Sequence, residues 1–265
     1  MQVRARYYTD PACSASWAAE PALRRLMVDF GPDLQIEYVM SGLAREYSSR
    51  DTAWLVADWL NAADRSGMPV DPRLWTEGPI RSTYPACMAV KAAAEQADDG
   101  GYRYLRTLRE GLMCFRRKLD TTEALVDEAG HAGLDVARFR IDLESHATVE
   151  AFGEDLERAR AVPDEGLGPP VLAVGGEEEA TRWAFGGEPY ESWREAVLAA
   201  GAEPSGQRPD VLQALGRFGR MAAPEVEAVC DLPGPRGRAE LWQLAADWRL
   251  RPRKVLFGEL WELAS

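Results

Sequence analysis

The stretch that most constrains the fold runs from Val3 to Pro21 and reads VRARYYTDPACSASWAAEP. Its first part favours a β-strand and ends at Asp10-Pro11, a pair that interrupts regular structure. Cys13 follows at once, where a strongly helical stretch begins. A thiol in the first turn of a helix lies among unpaired N–H groups at the positive end of the dipole, which can lower a cysteine pKa from about 8.5 to about 3.5–7.5. The sequence therefore predicts a strand, a turn and a helix that presents an activated Cys13.

Ser16 stands where a redox protein of this arrangement often carries a second cysteine, so the segment is a one-cysteine version of a CxxC site. Cys13 alone cannot close an internal disulfide, and a dithiol oxidase or reductase cycle is therefore unavailable. The Ser16 hydroxyl can hydrogen-bond to the sulfur or satisfy backbone groups of the first turn, and both alternatives stay open. Trp17 is expected to cover one side of the thiol, although ordinary packing also explains it. The predicted catalytic residues are Cys13, the nucleophile, and Ser16.

Composition places the chain among ordinary globular proteins. It has 265 residues, of which 46% are hydrophobic and 28% charged, and a net charge of −12. The negative charge disfavours nucleic acid and anionic membranes as partners. No apolar run approaches the about 20 residues of a membrane span. The N-terminus enters a predicted strand too early for a secretion signal, so we expect a cytoplasmic protein.

Four scattered cysteines and two histidines show neither disulfide nor metal-ligand spacing. Without a secretion signal, a disulfide framework is not expected. Cys87 and Cys114 lie in helical stretches rich in Ala, Met and Leu, and we predict both to be core residues. His131 and His146 have no cysteine or paired carboxylate at ligand spacing, so no metal site is predicted.

The hydrophobic pattern of the first part of the chain predicts a β-α-β unit. A second strand over 34–40 follows a helix over 14–30, which implies a parallel pair with a right-handed crossover. From about residue 50 to 162 the pattern is helical throughout. Such a block is too long for a loop and predicts a helical insertion.

Sheet signals return after this insertion. Strands at 170–174 and 181–185 are predicted to form an antiparallel hairpin, and a helix over 190–200 closes the domain. The fold class is therefore α/β, with a first domain over residues 1–203. A linker separates it from the tail.

Residues 208–265 predict a second, separable module. Its three short helical stretches and β-like ending resemble a small winged-helix module. Its basic and acidic residues nearly balance, so a DNA-binding face is not expected. Its apolar residues are too numerous to stay exposed, and we expect them to pack within the module, against the first domain or in a homodimer. We predict that the module serves association and that its removal leaves Cys13 reactivity largely intact.

The segment from Asp10 to Pro21 resembles the D-P-x-C-x-x-C-W-A-x-E-P element of DsbA-like thioredoxin-fold proteins of the cytosolic SpxH/YjbH type. The similarity spans roughly residues 3–200. It continues at Met68-Pro69, Asp71-Pro72, Leu74-Trp75 and Ser82-Thr83-Tyr84-Pro85-Ala86-Cys87. The resemblance implies a thioredoxin fold with a large helical insertion, followed by the C-terminal module.

In this resemblance Gly168-Pro169-Pro170-Val171 occupies the place of the cis-proline loop. Pro170 is the candidate cis-proline, a plain surface turn being the alternative, and Trp17, Pro169, Pro170 and Val171 are the implied substrate-binding residues. Pro169 has no N–H, so half of the usual backbone pairing with an extended ligand would be missing. Val171 also departs from the family pattern, which often has Thr after the proline.

The leading hypothesis is a cytosolic monothiol protein that exchanges thiols and disulfides with a protein partner through Cys13. The first alternative is a non-enzymatic adaptor of the SpxH type, which delivers a client transcription factor to the ClpXP protease. The second is a glutathione-dependent isomerase or transferase. No bound cofactor is expected, and the small molecule that the resemblance implies is a low-molecular-weight thiol such as glutathione. Whether the chain turns over a substrate stays open.

Overall fold

A four-stranded mixed sheet forms the centre of the first domain. The computed structural model describes residues 2–97, 99–163, 168–175 and 181–264. The sheet order is β2-β1-β3-β4, with β1 parallel to β2 and the other pairs antiparallel. Its strands are β1 (Val3–Thr9), β2 (Leu34–Met40), β3 (Val171–Val174) and β4 (Arg182–Phe185). The β-α-β unit and the late hairpin are thus as the sequence predicts.

The helix predicted over 14–30 is divided into α1 (Ser14–Ala18) and α2 (Glu20–Phe30). Pro21 causes the division, because it has no N–H to donate within a continuous helix and its ring would clash with a carbonyl of the preceding turn. α1 is consequently a short, separate element that carries the residues after Cys13. α2 packs one face of the sheet together with α10 (Tyr190–Ala199), burying Leu23, Leu26, Phe30, Trp193 and Val197.

The insertion between β2 and β3 consists of seven helices among the residues described. They are α3 (Thr52–Ser66), α4 (Leu74–Glu77), α5 (Tyr84–Ala94), α6 (Gly100–Arg109), α7 (Thr122–His131), α8 (Val136–Leu143) and α9 (His146–Arg160). α6 runs on into a π-helical turn over Glu110–Cys114. The core of the insertion is mainly aliphatic with several aromatic residues, and Cys87 and Cys114 are buried there, as predicted.

The C-terminal module contains three helices and a three-stranded antiparallel sheet of order β5-β7-β6. Its elements are α11 (Val211–Phe218), β5 (Met221–Ala222), α12 (Ala223–Val229), α13 (Arg236–Ala246), β6 (Leu250–Lys254) and β7 (Glu259–Leu263). The sheet is more extensive than the β-like ending expected. Leu241 and Trp261 lie in the module's core, whereas Trp248 is 87% exposed.

The module is docked on the first domain. Ser205 of the linker bonds to the Val28 and Asp29 carbonyls of α2, and Phe257 pairs with Val70 of the insertion through two backbone hydrogen bonds of 3.1 Å. Glu225 of α12 enters a buried ion cluster with arginines of the first domain. Packing against the first domain is one of the arrangements expected for the module's apolar residues, and whether the module is separable stays a prediction. Among the described residues, no helix is both long and apolar enough to cross a bilayer.

Candidate functional site around Cys13

Cys13 is the N-cap residue of α1 and lies between that helix and the loop before β3. Its backbone is extended, with φ −74° and ψ 111°, and its sulfur accepts a hydrogen bond from the Ser16 N–H at 3.3 Å. The thiol in turn donates to the Pro169 carbonyl oxygen, also at 3.3 Å. Only 5% of the residue is exposed. The thiol therefore has both a donor and an acceptor, and it is nearly closed to solvent.

Asp10 holds the turn that leads into this cap. Its carboxylate accepts from the Ala12 N–H at 2.8 Å and from the Leu43 N–H at 2.7 Å, and it is fully buried. The Cys87 thiol also donates to Asp10, at 3.3 Å. The sequence predicts Asp10 as a residue that interrupts regular structure and Cys87 as a core residue, and it predicts no contact between them. The family element that begins at Asp10 is the sequence signal for a role of this carboxylate at the site.

The loop before β3 brings Pro169 to the sulfur, and Pro170 and Val171 follow it in the chain. The Pro169–Pro170 peptide is cis. Val171 begins β3 and pairs with Tyr8 of β1, one residue before the end of that strand. Pro169 has no N–H to donate, and its carbonyl oxygen already accepts from Cys13, so this residue can offer an extended ligand only the second lone pair of that oxygen.

Ser16 and Trp17 lie behind the thiol and have no exposed surface. The Ser16 hydroxyl accepts from Thr9 Oγ1 at 2.8 Å, while its backbone N–H serves the sulfur. The Trp17 indole donates to the Pro69 carbonyl at 2.9 Å, and the Arg106 guanidinium lies 4.5 Å from its ring. The ring of Trp17 is buried among core residues of the insertion, and the substrate contact expected of it stays a prediction.

Burial raises the pKa of the Cys13 thiol above its ordinary value. Hydrogen bonding by Ser16 opposes this rise, the Asp10 carboxylate adds to it, and the Arg109 guanidinium reduces it. This direction is opposite to that of the activated thiolate expected from the sequence, and activation of Cys13 stays a prediction. A helix start favours thiolate only if the sulfur keeps enough solvation, and the Pro169 loop removes it.

Two grooves lie beside this closed thiol and share Leu43. One, of about 520 Å³, runs along the loop before β3 and is lined by Tyr8, Tyr84, Pro169 and Phe185 among others. The other, of about 790 Å³, extends over the loop after β2. Trp54 and Leu43 are 64% and 43% exposed there. The surface around Cys13 thus offers apolar contact area although the sulfur itself is covered.

Within the described part of the chain, no group of three or more His, Cys, Asp and Glu side chains is arranged to hold a metal ion. The four cysteines are all unpaired thiols.

A family model described as Thioredoxin (Thioredoxin_5) matches residues 7–163, more than half of the sequence. The chain belongs to the thioredoxin family. The ClpXP adapter protein SpxH of Halalkalibacterium halodurans is 29% identical to this thioredoxin-family chain, over 96% of the chain and 86% of the relative. SpxH of Bacillus subtilis is 26% identical over 97% of the chain and 88% of the relative. The predicted resemblance to DsbA-like proteins of the SpxH type is confirmed.

A solved structure shares the fold of this thioredoxin-family chain over its first domain. Cytosolic disulfide reductase DsbM from Pseudomonas aeruginosa superposes with a TM-score of 0.60 at 17% identity, covering 74% of this chain and 98% of DsbM. The predicted α/β thioredoxin fold with a large helical insertion is thereby confirmed. The disulfide reductase leaves about a quarter of the chain unmatched, whereas both SpxH relatives match it nearly from end to end.

Proposed function

We propose that this protein is an adaptor of the SpxH type, a cytoplasmic protein that binds a client protein and delivers it to the ClpXP protease. The observation that carries the proposal is the closed state of Cys13. Its sulfur is buried and hydrogen-bonded to the Pro169 carbonyl, and burial raises the pKa of the thiol. A dithiol cycle has no second thiol to use, because Ser16 occupies that position.

Two further observations support binding rather than turnover. The SpxH relatives match the C-terminal module as well as the thioredoxin-like domain. The grooves that meet at Leu43 supply exposed apolar surface, including Trp54, where a client can bind without contacting the sulfur. A homodimer through the module stays a prediction.

Thiol–disulfide exchange is the second candidate, and the retained N–H to sulfur hydrogen bond from Ser16 favours it. In that reaction the Cys13 thiolate attacks one sulfur of a disulfide, the S–S bond breaks, and the other sulfur leaves as a thiolate. The product is a mixed disulfide on Cys13, which a low-molecular-weight thiol such as glutathione would reverse. This route requires the Pro169 contact to open first, whereas client binding does not. The isomerase alternative stays a prediction.

Protein turnover in the native host tests the adaptor proposal. Deleting the gene should lengthen the half-life of at least one protein that loss of ClpX also stabilises. Wild-type protein and Cys13→Ser should both restore its degradation. If no protein stabilised by loss of ClpX responds to the deletion, the adaptor proposal is wrong. Restoration by wild type but not by Cys13→Ser would favour thiol exchange.

A further inference from the structure

Six charged side chains form a buried cluster between α2, the α6 region and α12 of the C-terminal module. None of them has more than 6% of its side chain exposed. They are Glu20, Arg24, Arg106, Arg109, Glu110 and Glu225. These six carry three positive and three negative charges, and the partly exposed Arg220 of the module adds a further positive charge 3.0 Å from Glu110.

Glu225 is the carboxylate that the module contributes to the cluster. It accepts two hydrogen bonds from Arg106, at 2.8 and 3.0 Å, and lies 3.0 Å from Arg24. It also accepts from the Ala222 N–H at 2.7 Å, which fixes it at the start of α12. Docking of the module therefore places the Glu225 carboxylate against Arg106 and Arg24, which also donate to backbone carbonyls of the module.

The cluster continues to Cys13 through Arg109. Glu20 lies 3.5 Å from Arg106 and is also hydrogen-bonded to Arg109. Arg109 donates to Thr9, whose hydroxyl donates to Ser16 at 2.8 Å, and the Ser16 N–H donates to the Cys13 sulfur at 3.3 Å. Every link in this series joins buried groups, so water screens the charges weakly.

We propose that Arg109 is a positioning residue that sets the reactivity of Cys13, and that Glu225 controls how strongly Arg109 does so. Docking of the C-terminal module thereby changes the reactivity of the Cys13 thiol. With Glu225 in place, Arg106 forms its strongest ion pair with Glu225, and the Glu20 carboxylate mainly neutralises Arg109. Without Glu225, Arg106 pairs more closely with Glu20. The positive charge of Arg109 is then less neutralised and stabilises the Cys13 thiolate more strongly. A partner that moves Glu225 away from Arg106 would raise the reactivity of Cys13 in the same way, whether the protein acts as adaptor or exchanges thiols.

Other charged and titratable groups also face the sulfur. They are Asp10 from the turn, Tyr7 from β1 and Tyr47 from the loop after β2. Cys87 of α5 reaches Asp10, and Asp58 of α3 bonds to Ser14 at 2.5 Å. None of these belongs to the cluster, and each keeps its place in the sequence when Glu225 or Arg109 is replaced. Tyr7 among them interacts electrostatically with both Arg109 and Glu20.

The test is the rate of Cys13 alkylation by iodoacetamide in the full-length protein, followed by peptide mass spectrometry over a range of pH. Arg109→Gln should slow the reaction at neutral pH by about tenfold, the equivalent of one pKa unit. Glu225→Gln should accelerate it by about threefold, the equivalent of half a unit. Arg109→Lys should restore most of the rate. Glu227→Gln is the matched control, because it makes the same change on α12 at a partly exposed residue 3.9 Å from Arg238.

Opposite signs separate the proposal from simple loosening of the structure. A merely structural role would expose the thiol in both variants and accelerate both. If Arg109→Gln and Glu225→Gln change the rate in the same direction, or if neither differs from Glu227→Gln, the proposal is overturned. Should Arg109→Gln not fold, Thr9→Val removes the hydroxyl link without removing a charge and should also slow the reaction.

Discussion

The Cys13 thiol donates a hydrogen bond to the Pro169 carbonyl oxygen, with 3.3 Å between sulfur and oxygen. This contact keeps the proton on the thiol, because a thiolate in that place would face the oxygen lone pairs. It also uses one of the two lone pairs of the backbone carbonyl that would pair with an extended ligand. This contact therefore opposes nucleophilic chemistry at Cys13 and competes with strand-like binding beside the sulfur.

The first prediction follows from that burial. Alkylation of Cys13 should show a pH midpoint above about 8.5, the value of an ordinary cysteine, because desolvation raises the pKa of this thiol. The rate against pH, resolved for the Cys13 peptide, measures it. A midpoint at or below the ordinary value would contradict the closed resting state and support the activated thiolate predicted from the sequence.

Stability should fall at alkaline pH, and the buried thiols are one cause. Burial raises the pKa of Cys13, Cys87 and Cys114, and that of Cys230 to about 11. Above about pH 8.5 the unfolded chain loses thiol protons that the folded chain retains, so the free energy of unfolding decreases as pH rises. Urea unfolding between about pH 8 and 11 should show this loss. In Cys230→Ala the decline should be shallower, and an unchanged slope would show that this thiol does not contribute.

Ser16→Cys should form a disulfide with Cys13 under mild oxidation. The Ser16 N–H already contacts the Cys13 sulfur at 3.3 Å, which places position 16 on the side of α1 that faces the thiol. Intact mass would show the loss of two hydrogens and of both free thiols. Ser14→Cys is the control, since adjacent helical residues do not face each other. If only the Ser14 variant formed a disulfide with Cys13, the site would not have the DsbA-like geometry.

Gly186→Ala should disturb the loop that covers the sulfur. A Cβ at Gly186 would lie 2.5 Å from the Pro170 ring, whereas one at Gly187 would enter open space. The first substitution should cost about 1–3 kcal/mol, as overpacking does, and should accelerate Cys13 alkylation because the Pro169 carbonyl is displaced. Gly187→Ala should do neither. Equal behaviour of the two variants would show that the loop does not control access to the thiol.

Local sequence signals predict the fold well because they act over short distances. The alternating strands, the Asp10-Pro11 turn and the thiol at the start of a helix are properties of neighbouring residues. Their assembly into a β-α-β unit with a hairpin then follows from the general handedness of crossovers. Pro21 is also a local signal of the break between α1 and α2, since proline in a helix interior removes a hydrogen bond.

The state of the site was not predictable in the same way, because it depends on contacts between distant segments. Pro169 is 156 residues from Cys13, and Glu225 is 119 residues from Arg106. Along α6 the spacing of Arg106 and Glu110 is also that of an ordinary solvated pair. Only the fold shows that the C-terminal module covers this pair and that the helix start lies behind a loop. Burial, rather than residue type, makes the pKa shift of Cys13 upward instead of downward.

The most direct test of the adaptor account is client degradation with purified components under reducing conditions. The client is the protein whose half-life depends on both this chain and ClpX in the native host, and the assay contains ClpXP with wild-type chain, Cys13→Ser or no added chain. The account predicts that both forms accelerate degradation over ClpXP alone, at rates that agree within about twofold, which corresponds to well under 1 kcal/mol. Failure of the wild-type chain to accelerate degradation, or loss of the acceleration in Cys13→Ser, would contradict it.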